Sequence, residues 1–334
     1  MKTLNKLFTR NSTTISFMGI MCVALLISSC GGGVVKKEKA NDWVEMGLKG
    51  QVKKMIEKNP KFSISQFYAF NEKGYFTEKG QISSWPTSKT VITEQYEYAP
   101  DGSLSAVSFF NNMSGALQTK RIYKDGLLTE EQTYASSYPT SELSSTKYYA
   151  YDQNGLLTKS WMNQDEQNCA EYECDKAGNI LKMNGYSNGE VTETHKTVYE
   201  YDKHGNITRQ EVYYRERKDD PRDKDGGIDY VEESKYDDNS RLLEHSNITY
   251  HFNSGKKENE IRQKSTTTYK YDEQDNVIEK SCVVYGYKDG KEQEPGSPAI
   301  TTYIYTYDKH GNWTSRETQY NGKKQEMASR TYTY

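Results

Sequence analysis

The feature that most constrains the fold is a short motif that recurs along the chain. Its clearest copy is residues 199–214, where Tyr199 and Tyr201 precede the run Asp-Lys-His-Gly at 202–205. Residues two apart in an extended strand share one face. Asp accepts backbone hydrogen bonds in tight turns, and Gly adopts the positive φ that ends a type I turn with a bulge. The motif therefore predicts a β-hairpin.

Nine copies of this motif align on the turn glycine, at spacings of 23 to 36 residues. Ser240 and Asp275 replace the glycine in two copies, and Cys174 replaces the tyrosine in another. The second residue after each turn is apolar in every copy: Phe76, Leu104, Leu128, Leu157, Ile180, Ile207, Leu242, Val277 and Trp313. Gly50 and Val52 indicate a weaker tenth copy. Such a period is typical of a repeat array.

These copies predict an all-β fold, in which tandem antiparallel β-hairpins form an elongated, twisted or spiralling sheet within a single domain at 42–334. The sequence leaves open whether the sheet closes on itself. Charged segments at 215–229, 253–263 and 286–298 predict longer loops along one edge. Residues 42–58 fit either a weak helix or an opening strand, and in both cases we expect them to cap one end of the array.

The pattern Tyr-Asp-x-x-Gly-Asn-[Ile/Leu]-Thr, clearest at 201–208 and 307–314, resembles the YD repeats of RHS-type proteins. The resemblance covers roughly residues 67–334 and is greatest to the small YD-repeat lipoproteins of Bacteroidota. It implies a β-hairpin repeat array in the cell envelope. Large RHS proteins, which form a shell around a toxin and carry a C-terminal self-cleaving core, are similar only in the repeats.

The first 29 residues predict a lipoprotein signal peptide. Lys2, Lys6 and Arg10 precede a mostly apolar run at 15–27, which is shorter than the ~20 residues of a membrane-spanning helix. The sequence Ile-Ser-Ser-Cys then matches a lipobox, so we predict lipidation at Cys30 and a flexible tether at 30–41. The alternative is an ordinary secretory signal in which Cys30 has no such role.

The residue after the predicted lipidation site favours the outer membrane. Gly31 stands where the sorting pattern for inner-membrane retention would have Asp, and no acidic surface-export cluster follows. We therefore expect a lipid-anchored protein, slightly favouring the periplasmic leaflet over the cell surface. The whole chain carries a formal charge of −3, and loss of three basic residues with the signal peptide makes it −6. This charge argues against nucleic acid as a partner.

No sequence motif predicts a cofactor or a metal. The turn carboxylates would line one rim and could in principle hold Ca²⁺, but we interpret each Asp as serving its own turn. The five histidines lack ligand spacing, and the cysteines lack a C-x-x-C pair. We interpret Cys174 as a small apolar substitute for tyrosine.

The sequence favours a non-catalytic binding protein. None of the common catalytic motifs occurs, although convergent carboxylates could still support a polysaccharide-acting enzyme. We expect the paired tyrosines to fill the inner face, whereas the off-pattern Trp85 and Trp161 are candidate contacts for a glycan or an envelope protein. The alternative is a structural, shell-like scaffold related to RHS systems.

Overall fold

The computed structural model describes residues 40–334 except 60, 62, 84–88, 138–139, 214–215, 218–226, 254–257 and 289. One helix, α1, spans Asp42–Glu45. The first eleven strands are β1 Lys54–Lys58, β2 Ile64–Phe70, β3 Phe76–Ser83, β4 Lys89–Tyr98, β5 Leu104–Phe110, β6 Leu117–Lys124, β7 Leu127–Ser137, β8 Thr140–Tyr151, β9 Leu157–Met162, β10 Asp165–Cys174 and β11 Ile180–Ser187. The others are β12 Glu190–Tyr201, β13 Ile207–Tyr213, β14 Glu216–Arg217, β15 Ile228–Tyr236, β16 Leu242–Asn253, β17 Glu258–Tyr271, β18 Val277–Lys288, β19 Lys291–Glu292, β20 Ala299–Tyr307, β21 Trp313–Tyr320 and β22 Lys323–Thr333.

The strands form an antiparallel sheet that closes on itself. Of the 22 described strands, β14 and β19 lie beside β12 and β18 as two-residue additions, which leaves a ring of 20. The last strand, β22, pairs with β1 from Lys54↔Thr333 to Lys58↔Ser329. The prediction of tandem antiparallel hairpins is confirmed, but the elongated, spiralling sheet is wrong, and the closure that the sequence left undecided is present. Closure pairs the two strand edges that an open array would leave exposed.

The repeat turns all lie at one end of the barrel, which we call the turn rim: residues 71–75, 99–103, 125–126, 152–156, 175–179, 202–206, 237–241, 272–276 and 308–312. The other connections, such as residues 163–164, 188–189 and 321–322, lie at the opposite end, which we call the loop rim. This arrangement follows from antiparallel pairing, because alternate connections must emerge at opposite ends. Of the segments predicted as longer loops, residues 258–263 belong to β17 and residues 286–288 to β18, so those loops are shorter than expected. Residues 215, 218–226, 254–257 and 289 of these segments lie outside the described residues.

The turn chemistry is as predicted. The Asp202 carboxylate Oδ1 accepts the backbone N–H groups of His204 and Asn206 at 2.8 and 2.9 Å. Gly205 has φ +85 and donates its N–H to the Asp202 carbonyl at 3.1 Å. The same two carboxylate contacts recur in five other turns, at Asp152, Asp175, Asp237, Asp272 and Asp308.

Tyrosine hydroxyls connect neighbouring hairpins near the turn rim. The ladder between adjacent hairpins stops short of this rim; for example, the β18–β20 pairing begins at Glu279 although β18 starts at Val277. The carbonyl of the apolar residue after the turn accepts a hydroxyl instead, in the pairs Tyr98–Phe76, Tyr151–Leu128, Tyr271–Leu242, Tyr305–Val277 and Tyr332–Trp313, at 2.6 to 3.1 Å. Cys174 takes the tyrosine's place, with its Sγ 3.5 Å from the Leu157 carbonyl.

The paired tyrosines share one side of the sheet, which we call the tyrosine face. Tyr199 and Tyr201 stack with ring centres 6.3 Å apart, and Tyr305 and Tyr307 repeat the contact at 6.1 Å. Tyr201 lies at the rim end and is 37% exposed. The face also holds the counterparts Tyr149, Tyr151, Tyr269 and Tyr271.

The strand register places the tyrosine face on the inside of the barrel. A line of paired residues that starts at Met55, the second residue of β1, reaches Phe109, the sixth residue of β5, and so drifts away from the turn rim. The N–H of Phe70, on the tyrosine face, points back to Lys53 beside β1. Because β-strands twist in a right-handed sense, the direction of this drift fixes the order in which the strands follow one another when the barrel is viewed from outside. In that order, an L-residue of β2 whose N–H points toward β1 has its side chain directed into the barrel, so the Phe70 side chain points inward.

The N-terminal segment 41–53 closes part of the barrel mouth at the turn rim. Its Trp43 and Val52 pack with Met55, Phe70 and other residues of the tyrosine face, and Val52 and Met55 are fully buried. Trp43 Nε1 donates to the Val52 carbonyl at 2.8 Å, as the tyrosines do elsewhere, which supports Gly50–Val52 as a tenth copy. Residues 42–58 contain both α1, within this segment, and β1, which follows it, so each interpretation of 42–58 was partly correct.

The same segment joins the first and last repeats. Trp43 N–H donates to the Gly74 carbonyl at 3.1 Å, and Asn41 Nδ2 donates to the Lys73 carbonyl at 2.7 Å. At the last turn, the Asn312 side chain accepts from Lys49 N–H and donates to the Lys49 carbonyl, both at 2.7 Å. The segment therefore covers the seam between β22 and β1 rather than capping a free end of the array, because closure pairs the first strand with the last. Within the described residues, no helix is long and apolar enough to cross a bilayer.

Candidate ligand-binding surface

Trp161 lies on the outer face of the sheet, opposite the tyrosine face. Its strand partner is Tyr148, whereas the neighbouring pair Tyr149↔Ser160 belongs to the tyrosine face. The Tyr148 and Trp161 rings stack with centres 5.7 Å apart and planes 23° apart. Both side chains are half-buried. One side of the pair therefore rests on the sheet, while the rest is open to solvent.

An aromatic strip continues from this pair across the next strands. Cys169 on β10 pairs with Trp161, and Tyr186 on β11 follows at the next position of the same face. Adjacent strands lie ~4.8 Å apart, so Trp161 and Tyr186 are separated by about 10 Å across the sheet. We define the aromatic strip as Tyr148, Trp161 and Tyr186.

Polar groups flank the aromatic strip. Lys159 Nζ lies 5.9 Å from the centre of the Trp161 ring and 3.3 Å from Glu166 Oε2. Glu171 accepts a hydrogen bond from the Tyr186 hydroxyl, and this bond raises the pKa of Tyr186 above its ordinary value. Asn184 Oδ1 accepts from Thr194 at 3.0 Å. Rings beside carboxylate, amide and ammonium groups are suited to a ligand with flat apolar faces and many hydroxyls.

Two of the three predicted site residues lie outside the described residues, namely Cys30 and Trp85. The structure therefore tests neither the lipidation site nor the contact proposed for Trp85. Trp161 is described, and the structure brings it together with Tyr148 and Tyr186, which sequence reasoning did not single out. Both tyrosines depart from the Tyr-x-Tyr-Asp position, and that departure was the available signal.

The turn carboxylates serve their own turns. Backbone N–H groups of Leu156 and Arg241 hold the pKa values of Asp152 and Asp237 below the ordinary value. The pKa of Asp202 is also lowered, and the largest cause is its hydrogen bond with the Asn206 side chain. Within the described ranges, no group of three or more His, Cys, Asp or Glu is arranged for a metal ion. Tyr201, Tyr307 and Tyr334 also donate to the turn carboxylates Asp175, Asp272 and Asp308 of the preceding repeat.

The histidines and cysteines are dispersed. His310 stacks on Tyr334 at 4.2 Å between ring centres, His251 Nε2 lies 3.5 Å from Glu260, and His204 is exposed in its turn. Cys169, Cys174 and Cys282 form no disulfide with one another in the described part of the chain.

A second candidate surface lies across β17, β18 and β20 near the turn rim. It is a shallow groove of about 470 Å³, lined among others by Ile278, Thr302 and Ile304. Ile304 is 54% exposed. The charged groups at its edge, Lys270 and Glu279, bind each other at 2.8 Å. The groove therefore offers few uncommitted polar groups, and the aromatic strip is the stronger candidate.

No family model matches the chain, and no curated protein matches its sequence. Among solved structures, the TcdB2-TccC3-Cdc42 crystal structure aligns with 79% of this chain at 14% identity and a TM-score of 0.33; the aligned part is 14% of that chain. Porin-like proteins from Bacteroides uniformis and Bacteroides vulgatus align with 85% of this chain, at 12% and 10% identity and TM-scores of 0.32 and 0.28. Those alignments cover 98% and 99% of the porin-like chains.

These TM-scores are too low to support an argument about function or ancestry. The fold itself defines the class of protein: a closed all-β barrel built from tandem antiparallel hairpins, with an aromatic strip on its outer face.

Proposed function

We propose that this protein is a non-catalytic, lipid-anchored lipoprotein of the outer membrane that binds a glycan through its outer face. The observation that carries the proposal is the aromatic strip, in which Tyr148, Trp161 and Tyr186 lie in one row across four strands. A row of half-buried rings on a rigid sheet can stack on successive sugar rings without reorganising the barrel.

The charges beside the strip favour an uncharged glycan. Lys159 is the cation at the strip, whereas Glu130, Glu166 and Glu171 contribute carboxylates to the same region. Glu130 pairs with Tyr148 across the β7–β8 ladder. Carboxylates accept hydrogen bonds from sugar hydroxyls but repel uronic acids and sulfated sugars.

A glycan array with residues 31–334 tests the proposal. We expect selective binding to uncharged glycans, weakened about tenfold or more in Trp161→Ala, which corresponds to ~1.4 kcal/mol. Tyr320→Ala is the matched control, because Tyr320 is 38% exposed and lies at the loop rim. A blank array, or equal loss in both variants, would contradict glycan binding and favour a protein partner.

The envelope location rests on the predicted lipidation at Cys30 and on the resemblance to YD-repeat lipoproteins. Metabolic labelling with palmitate should mark the wild-type protein in the outer-membrane fraction, and Cys30→Ala should abolish the label. Labelling that persists in Cys30→Ala would contradict the lipoprotein assignment. Protease treatment of intact cells distinguishes the favoured periplasmic leaflet from the cell surface.

A second candidate function is an enclosing scaffold of the RHS kind, and the closed sheet favours it. Barrels of 16 to 18 strands already leave an aqueous channel, so a 20-stranded ring surrounds a wide lumen. Co-expression with the product of the adjacent gene tests this role. Co-elution with protection of the guest from protease supports enclosure, and a fully digested guest contradicts it.

A further inference from the structure

We propose that the inner wall of the barrel holds a second binding site, in which Arg316 and Lys280 bind the carboxylate or phosphate of a small anionic molecule beside Tyr303. This site is separate from the aromatic strip, which lies on the outer face of β8 to β11. Its three residues lie on β21, β18 and β20.

Both cations flank the same ring. The Arg316 guanidinium carbon lies 5.6 Å and the Lys280 ammonium 5.9 Å from the centre of the Tyr303 ring. Arg316 pairs with Tyr305, and Lys280 pairs with Tyr269 and Thr301, all on the tyrosine face. The cations therefore converge on one region of the inner wall.

Neither cation is neutralised within the described part of the chain. Among the described residues, no carboxylate oxygen lies within 4.0 Å of Arg316 or Lys280, and the side-chain partner of Arg316 is the uncharged Tyr305 hydroxyl. Arg330, on the neighbouring strand, differs because its Nε and Nη2 both lie 2.8 Å from Glu57 Oε2. The region therefore carries two positive charges in excess.

The remaining carboxylates on this part of the wall are committed elsewhere. Glu326, across from Thr318, accepts from Asn59 Nδ2 at 3.2 Å and lies 3.9 Å from Lys61. Asp272 accepts from its own turn and from the Tyr307 hydroxyl. They leave the excess positive charge of Arg316 and Lys280 in place.

Unsatisfied donors mark the same place. Arg316 Nε and Thr318 Oγ1 are buried and have no hydrogen-bond partner in the described residues. Thr318 is the strand partner of Tyr303 and lies two residues from Arg316, on the same face. Buried polar groups of native proteins rarely remain unpaired, because such a group has lost its hydrogen bonds to water without replacement. An anion bound here would accept hydrogen bonds from the Arg316 guanidinium and so give it a partner.

The chemistry fits a carboxylate or phosphate group. Arginine presents a planar fork of donors that matches both groups, and lysine adds a point charge. The ring of Tyr303 supplies an apolar surface for the body of the ligand. The lumen of a 20-stranded barrel is wide enough for small solutes to reach this wall.

Calorimetric titration of residues 31–334 with glucuronate and with inorganic phosphate tests the site. We expect saturable binding of at least one probe, and a tenfold or greater loss of affinity in both Arg316→Gln and Lys280→Gln. Binding of both probes points to the charge alone, whereas binding of glucuronate only points to a sugar acid. Arg121→Gln is the matched control, because Arg121 also faces the tyrosine side but is already paired with Glu131 at 2.7 Å.

Circular dichroism and thermal melting establish that each variant is folded before titration. Loss of affinity in the folded Arg316 and Lys280 variants, but not in Arg121→Gln, supports the site. No binding of either probe to the wild type overturns it, as does equal loss in all three variants. The outcome of this titration is independent of the glycan array, because Trp161 lies on the outer face and the anion site on the inner face.

Discussion

Tyrosine hydroxyls act where neighbouring hairpins lose their backbone pairing. The Tyr332 hydroxyl donates to the Trp313 carbonyl at 2.7 Å across β21 and β22. A carbonyl left without a donor in this half-buried position would be destabilising. The tyrosine of the repeat is therefore both a packing group and a hydrogen-bond donor, which explains why phenylalanine does not replace it in most copies.

Replacing Tyr332 by Phe should lower the free energy of unfolding by about 0.5–1.5 kcal/mol, because the ring stays and one hydrogen bond is lost. Chemical denaturation measures the change. Tyr320→Phe, which alters an exposed ring at the loop rim, is the control and should be neutral. An unchanged midpoint for Tyr332→Phe would mean that water replaces the hydroxyl at no cost.

The turn glycines act through backbone conformation. Gly205 has φ +85, and a Cβ there would meet no atom within 4 Å. Gly205→Ala should therefore destabilise the protein by ~1–2 kcal/mol through the left-handed conformation alone. Gly286→Ala is a matched control, because Gly286 also has open space but no positive φ. Equal melting temperatures for the two variants would contradict this explanation.

At the scale of the element, the N-terminal segment 41–53 behaves as a separate part added to the ring. Trp43 packs on Phe70 at 6.3 Å between ring centres and covers Gly74 so closely that a Cβ there would lie 2.5 Å from the indole. The segment has no strand of its own before β1 and is held by side chains and turn carbonyls. Its attachment therefore depends on a few residues.

Trp43→Ala should destabilise the protein by roughly 2–4 kcal/mol, slightly below the range for fully buried aromatics, because Trp43 is half-buried. Thermal melting measures the loss. Val44→Ala, next to it and 64% exposed, should change the melting temperature little. A stable Trp43→Ala variant would show that the segment is dispensable for the closed sheet.

The sequence predicted individual hairpins well because their determinants are local. The Asp and Gly of each turn lie within five residues, and Tyr199 and Tyr201 share a face by strand geometry alone. The aromatic strip was predicted only in part. The β9–β10–β11 register places Trp161 and Tyr186 in the same row, and that register includes an irregularity between Asp165 and Cys169 that no local signal specifies.

At the scale of the whole molecule, closure could not be read from the repeats. It depends on the sum of small register drifts over 20 strands and on a pairing between residues about 270 positions apart, such as Lys58 and Ser329. Each hairpin is compatible with both an open and a closed sheet.

A cross-link tests closure directly. With Cys169, Cys174 and Cys282 replaced by Ala, the pair Lys58→Cys and Ser329→Cys should form a disulfide under mild oxidation, because paired strand residues lie at suitable distances. Non-reducing electrophoresis should show a faster band. Glu171→Cys with Ser329→Cys should give no such band, and absence of the band in the first pair would favour an open sheet.

Alkaline pH should unfold the barrel through its tyrosines. Burial raises the pKa of Tyr332 to about 12, and burial also raises the pKa values of Tyr96 and Tyr98. A folded pKa above the ordinary value of ~10 means that the folded state holds the proton more tightly. This contribution to stability is complete below pH ~10 and is lost as the pH rises through about 12.

Urea midpoints measured between pH ~9 and ~12 should fall for the wild type. Tyr332→Phe should show a shallower fall, because it removes one of the groups whose pKa is raised by burial. A fall of the same steepness in both proteins would assign the alkaline transition to other groups.

The match between β22 and β1 has a consequence for how such a molecule changes size. The seam between the last and first strands is an antiparallel ladder like those between internal hairpins, so another hairpin inserted there would meet compatible edges on both sides. Each insertion adds two strands and ~9.6 Å of sheet width measured across the strands, and therefore widens the ring. Duplication or deletion of single repeats would therefore alter the bore in discrete steps while keeping every turn on the same rim.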